Sequence, residues 1–187
     1  MNIRTMLPSL TRFVAIAFFL APAGMLAAQQ ADSAAISKLL PEVKLHAANA
    51  ERDADTLETY TRNTLHWESH ANQIHMIRQH VNDLIEDSNQ LSRLRSAGSP
   101  WQQQAIDHIN ELLPQISTHL SAMINHLSEN QRSINSPKFR DYIRTNYRLI
   151  HTAHEAIDDW ADYNEVKWKA NALEQQLQLA KAQNPGQ

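Results

Sequence analysis

The residues of this chain whose type and number invite a chemical reading are its ten histidines: His46, His66, His70, His75, His80, His108, His119, His126, His151 and His154. Neutral imidazole is the commonest protein ligand for transition metals, and its charge changes near neutral pH. His66 and His70 lie one helical turn apart, as do His151 and His154, whereas His75 and His80 point in different directions. In the bundle derived below, with its first and third turns at the top, His46, His80, His119, His151 and His154 all fall roughly 20–24 Å down at 1.5 Å per residue. His75 and His126 share a higher level, about 12 Å down by the same arithmetic. Such a set can supply a two- or three-histidine site for zinc, copper or nickel. The plainer reading makes them half-buried side chains beside apolar seams, their ring nitrogens bonded to carboxylates or water. We adopt it, so no metal or other cofactor is expected.

Sharper motifs fail. His154-Glu155-Ala156-Ile157-Asp158 opens like H-E-x-x-H, but the second histidine is missing. No pair of Glu-x-x-His helices for a di-iron centre, no glycine-rich phosphate loop and no G-x-S-x-G nucleophile motif is present. Met123 and His70 fall on seams and can be drawn as axial ligands of a haem, but a seam methionine ordinarily fills core. His154 and Asp158 can be drawn as an acid–base pair, but a helical i,i+4 pair is ordinarily a surface contact. The expectation is a protein that is not an enzyme.

The elements that position these residues follow from the apolar pattern. Ile106, Ile109, Leu113, Ile116, Leu120, Met123, Leu127, Asn130 and Ile134 recur at spacings of three and four, one narrow seam on a helix from Ser99 onward. An earlier seam runs Ile36, Leu40, Val43, Ala47, Ala50, Ala54 and Leu57. Another runs Tyr60, Trp67, His70, Ile74, Ile77, Val81, Leu84 and Leu91. The phase slips between them across Thr61-Arg62-Asn63-Thr64, so a turn is expected there. Gly98 suits a left-handed position after a helix. Ser99, Pro100 and Gln102 then form a capping start. Pro114 sits off the seam and is expected to kink its helix near Asn110 to Leu113. Asn135-Ser136-Pro137 repeats the stop-and-start chemistry. The last seam is Phe139, Ile143, Ile150, Ala153, Ile157 and Trp160, drifting to Val166, Ala170, Leu173 and Leu177.

The fold class is therefore all-α, an up-down-up-down antiparallel four-helix bundle, with three long helices and the first two fused as the alternative. The bundle spans 29–182, and 183–187 is a loose tail. Residues 1–28 read as a cleaved signal peptide: Arg4 and Arg12, the apolar run Phe13 to Ala21, then small residues ending at Ala28, with a cut after Ala23 as the alternative. The run is too short to span a bilayer, which takes about 20 apolar residues. With no cysteine among 187 residues, an exported chain has only packing to hold it. The expected address is periplasmic or secreted.

Without the leader, 15 basic residues face 20 acidic ones, a net charge of −5. That disfavours nucleic acid as a partner. The last helix is segregated, with Lys138, Arg140, Arg144 and Arg148 early and Glu155, Asp158, Asp159, Asp162 and Glu165 late. Its basic half lies at the helix start, where the macrodipole prefers anions, which hints at an anionic partner. Nearby Glu58, Glu68, Glu129 and Asp141 neutralise much of it, and a solvated charged face is the plainer reading. Trp67 and Trp160 fall on seams. Trp101 staples a first turn. Trp168 is expected to pack with the helix tail on the bundle; exposed with Leu173, it would instead mark a surface for self-association or for another protein.

The segments TLHWESHANQI (64–74), SPWQQQAIDHI (99–109) and INHLSENQ (124–131) look similar to uncharacterised exported helical proteins of bacteria. The resemblance implies export and an all-α fold, and it carries no activity, ligand or site residue.

Overall fold

Heptad-like seams with few glycines leave the chain little choice but long helices joined by short turns. The computed structural model describes residues 31–62 and 66–183. The segment 1–28 read as a leader lies outside the described residues, as do 29–30, 63–65 and the expected tail residues 184–187. Within them are four α-helices: α1, Ala34–Tyr60; α2, Trp67–Leu94; α3, Pro100–Glu129; and α4, Pro137–Gln183. Short 3-10 turns at Arg95–Ala97 and Gln131–Ser133 precede α3 and α4. The first two helices are separate, so the fused alternative falls. Thr61 and Arg62 turn the chain, with the Thr61 hydroxyl donating to the Glu58 carbonyl at 2.7 Å.

Each helix buries its seam against two neighbours: α1 packs on α2 and α4, and α3 packs on α2 and α4. Ile36, Leu40, Val43, Ala47, Ala50, Ala54 and Leu57 are all buried in α1, as are the α3 seam residues from Ile106 to Leu127. Asn130 and Ile134 are different: α3 ends at Glu129, so Asn130 caps it and Ile134, beyond the 3-10 turn, is only partly buried. α3 runs unbroken through Pro114.

Two polar devices join the helix ends. Gln102 is fully buried. Its Oε1 accepts from the backbone N–H of Ser33 at 2.8 Å and of Ser99 at 3.1 Å. Its amide nitrogen donates to the Ser33 carbonyl at 3.1 Å and the Ser37 hydroxyl at 3.2 Å. One side chain thus caps α3 and ties it to the start of α1. Pro41, inside α1, has no N–H for the Ser37 carbonyl one turn back. That carbonyl accepts instead from the buried Asn164 side chain of α4, at 3.1 Å.

Gly98 corrects the sequence reading. Its backbone is extended (φ −81°, ψ 150°) rather than left-handed. Space favours glycine there, because a Cβ would come within 2.8 Å of Ile36 Cδ1 and 3.2 Å of Gln102 Cβ, so the buried Ile36 side chain would have to shift.

The tail of α4 is a second correction. At 47 residues α4 far outruns the 27 to 30 of the other helices. Lys167 still reaches the bundle, bonding Asp32 at 2.9 Å. Trp168, 66% exposed, still borders a hollow with Ala34, Lys38 and Pro41 of α1, and from Leu173, 63% exposed, onward every described residue of α4 is exposed.

Candidate functional site

The histidines are arranged by α1. Its seam leaves one row of flanking positions on each side, repeating every seven residues. The row Ser37, Lys44, Glu51 and Glu58 meets α4. Lys44 bonds Asp158 at 2.6 Å and Asp162 at 2.7 Å. Glu51 takes the Nδ1 atoms of both His151 and His154, one on each carboxylate oxygen. Glu58 holds Arg62 at 2.8 Å and lies 4.0 Å from Arg144. The opposite row, His46, Asp53 and Tyr60, meets α2. His46 Nδ1 lies 2.8 Å from Asp87, Asp53 lies 3.4 Å from His80 Nε2, and Tyr60 packs edge-on against His70 with ring centroids 5.6 Å apart.

The five histidines singled out from sequence reach separate partners, and His46 and His80 are held about two turns apart along α1. His46 joins Asp87, His80 joins Asp53, and His151 and His154 share Glu51, while His119 stands half-buried on α3. Among the described residues no group of three or more His, Cys, Asp or Glu side chains is arranged to hold a metal ion. The Glu51 carboxylate lies directly on both imidazoles, where an ion bridging these three groups would need to sit. The proposed acid–base pair is also redirected: His154 turns to Glu51 and Asp158 to Lys44. Met123 is wholly buried, and His70 lies between Tyr60 and Phe139 with its Nδ1 3.2 Å from the His66 carbonyl. His126 stacks on Phe139, and His75 is exposed beside Arg78.

The electrostatics follow from these pairs. The hydrogen bond to Glu51 raises the pKa of His151, and that of Lys44 is raised by Asp158 and Asp162. Burial pushes the Asp87 carboxyl above its ordinary 3.8 although His46 pulls it down. A carboxyl that holds its proton more tightly when folded costs stability once ionised. The cost is absent below pH 3.8 and complete above the raised pKa. Asp87→Asn keeps an acceptor for His46 and removes the buried charge. It is expected to raise the thermal midpoint at pH 8 by about 1–3 °C, on the order of half a kcal/mol, with a smaller gain at pH 4. A fall at pH 8 would show that the His46 pair outweighs the burial.

At the end of the bundle near α3's start, Asp32 accepts from Trp101 Nε1 at 2.7 Å, and Lys167 lies over the Trp101 ring at 5.6 Å. Burial works against the Asp32 carboxylate, but hydrogen bonds from Lys167 and Trp101 help hold its pKa below 3.8. At the opposite end Arg62, Arg144 and Arg148 line an open hollow with Asp55, Glu58 and Asp141. The basic start of α4 therefore has acids within it, as the composition suggested.

No family model, curated protein or solved structure matches this chain. What it does must be argued from its own geometry. No helix among the described residues is long and apolar enough to cross a membrane. Glu51, Asp53 and Asp87 were missed in the sequence because each looks like an ordinary solvated acid. The seven-residue recurrence of Lys44, Glu51 and Glu58 beside the α1 seam was the available signal.

Proposed function

We propose that this chain is an exported, non-enzymatic interaction protein: an up-down-up-down bundle that holds a protein partner through the free end of α4. The observation that carries the reading is the exposed apolar stripe on α4 as it leaves the bundle, where Val166, Leu173 and Leu177 share one face and are 57–67% exposed. Clustered exposed apolar side chains of this size are characteristic of contact surfaces. Export rests on the leader at 1–28. The antiparallel order is supported by the partners of α1, since 37, 44, 51 and 58 meet 164, 158, 151 and 144 in turn. On this reading the histidines bond carboxylates between helices and serve no metal.

A photocrosslinking residue at Leu177 of the full chain, expressed with its own leader, tests the reading. Leu45, also 57% exposed but on the bundle, serves as the control position. Adducts are expected in the exported fraction from position 177 and not from 45. Equal or absent crosslinking from the two positions would refute the proposal.

A further inference from the structure

We propose that the occupant of the α4 extension is the same extension of a second copy, laid antiparallel; the inference rests on the contact-surface reading above. Tyr163, Val166, Ala170, Leu173, Leu177 and Ala180 are all exposed. Their spacings of three, four, three, four and three make one narrow stripe, the seam of a two-helix coiled coil. At about 100° per residue this stripe lies opposite the buried face formed by Ile157, Ala161 and Asn164. Two copies can therefore join stripe to stripe while their bundles stay apart.

Charge selects the direction. With Val166 opposite Leu177 and Ala170 opposite Leu173, Tyr163 falls opposite Ala180. Antiparallel pairing in this register sets Glu174 beside Lys167 of the second copy, twice by symmetry. Lys167 already holds Asp32 but has three donors. Lys181 falls beside Asp159 of the second copy, on the acidic stretch of α4. Parallel pairing would set Asp159, which continues the stripe one heptad before Val166, against Asp159 of the second copy, like charge on like. The contact spans some two and a half heptads per chain, which puts it at the small end of specific interfaces, under about 1,200 Å² in total. A weak, concentration-dependent dimer follows.

Sedimentation equilibrium of the exported chain, run up to about 1 mM to reach weak association, tests this. Wild type is expected to dimerise. Leu173→Asp with Leu177→Asp is expected to be monomeric with unchanged helicity and melting temperature. Lys181→Glu is expected to weaken the dimer at least tenfold, and adding Asp159→Lys to restore it. A monomeric wild type, a dimer that survives the two leucine changes, or a double charge reversal without rescue would overturn the proposal. Crosslinks from position 177 to a different protein, with a monomeric wild type, would leave the contact-surface reading standing and remove only the self-pairing. Absence of any crosslink from 177 would remove both.

Discussion

Replacing Phe139 by alanine is expected to destabilise the bundle by about 3–5 kcal/mol, read as a lower urea midpoint with an unchanged slope. Phe139 opens the seam of α4 and is fully buried. It is the ring on which two other helices close: His126 of α3 stacks on it at 5.6 Å and 19°, and His70 of α2 lies 5.8 Å away. Removing it leaves both imidazoles beside a void. His126 Nε2 is buried without a hydrogen-bond partner, so a water entering the void would offset only part of the lost packing. Phe139→Leu, which refills most of the space, is expected to recover more than half of the loss. If alanine costs under about 1 kcal/mol, this end of the bundle is not packed as described.

Gln102→Met is the second large effect, an expected loss of about 2–4 kcal/mol and a fall in melting temperature of roughly 5–15 °C. Methionine has nearly the length and volume of glutamine, so the loss isolates hydrogen bonding from packing. A primary amide has two donors and two acceptor lone pairs, and all four are used here. Without them the start of α1 loses its tie to α3, and the N–H groups of Ser33 and Ser99 lose their acceptor. Gln103→Met, which removes a single bond to the Gly98 carbonyl, is expected to cost about 1 kcal/mol. Thermal melts of the two variants side by side check the ratio.

The seams were legible in the sequence because a spacing of three and four is a local property, satisfied or not within each segment. Ile36 to Leu57 and Ile106 to Leu127 bury as the pattern requires. The break after Tyr60 was legible for the same reason, as a slip of phase. Gly98 was misread because Gly-Ser-Pro resembles a helix terminus, whereas the real constraint comes from Ile36, more than sixty residues away. The polar partners were illegible one by one. Whether His151 meets Glu51 depends on the rotation of α4 about its axis and its height beside α1, and no single segment records either. Height was recoverable only coarsely, since His80 meets Asp53, seven residues or about 10 Å along α1 from His46; rotation was not recoverable, which pooled the histidines instead of pairing them. Trp168 was expected on the bundle because apolar helix ordinarily finds a neighbour; it borders the start of α1 but stays 66% exposed, because α4 outruns the other described helices.

The two rows beside the α1 seam have a consequence for handedness. A seam alone is indifferent to which side each neighbouring helix takes, so the same four stripes can wind in either of two mirror-related orders. Lys44, Glu51 and Glu58 answer to Asp158, to His151 with His154, and to Arg144, whereas His46 and Asp53 answer to Asp87 and His80. Exchanging the sides would strip Glu51 of both imidazoles and leave the buried Asp87 without His46. The ionic fringe of one helix thus chooses between two windings that the apolar stripes alone leave equivalent.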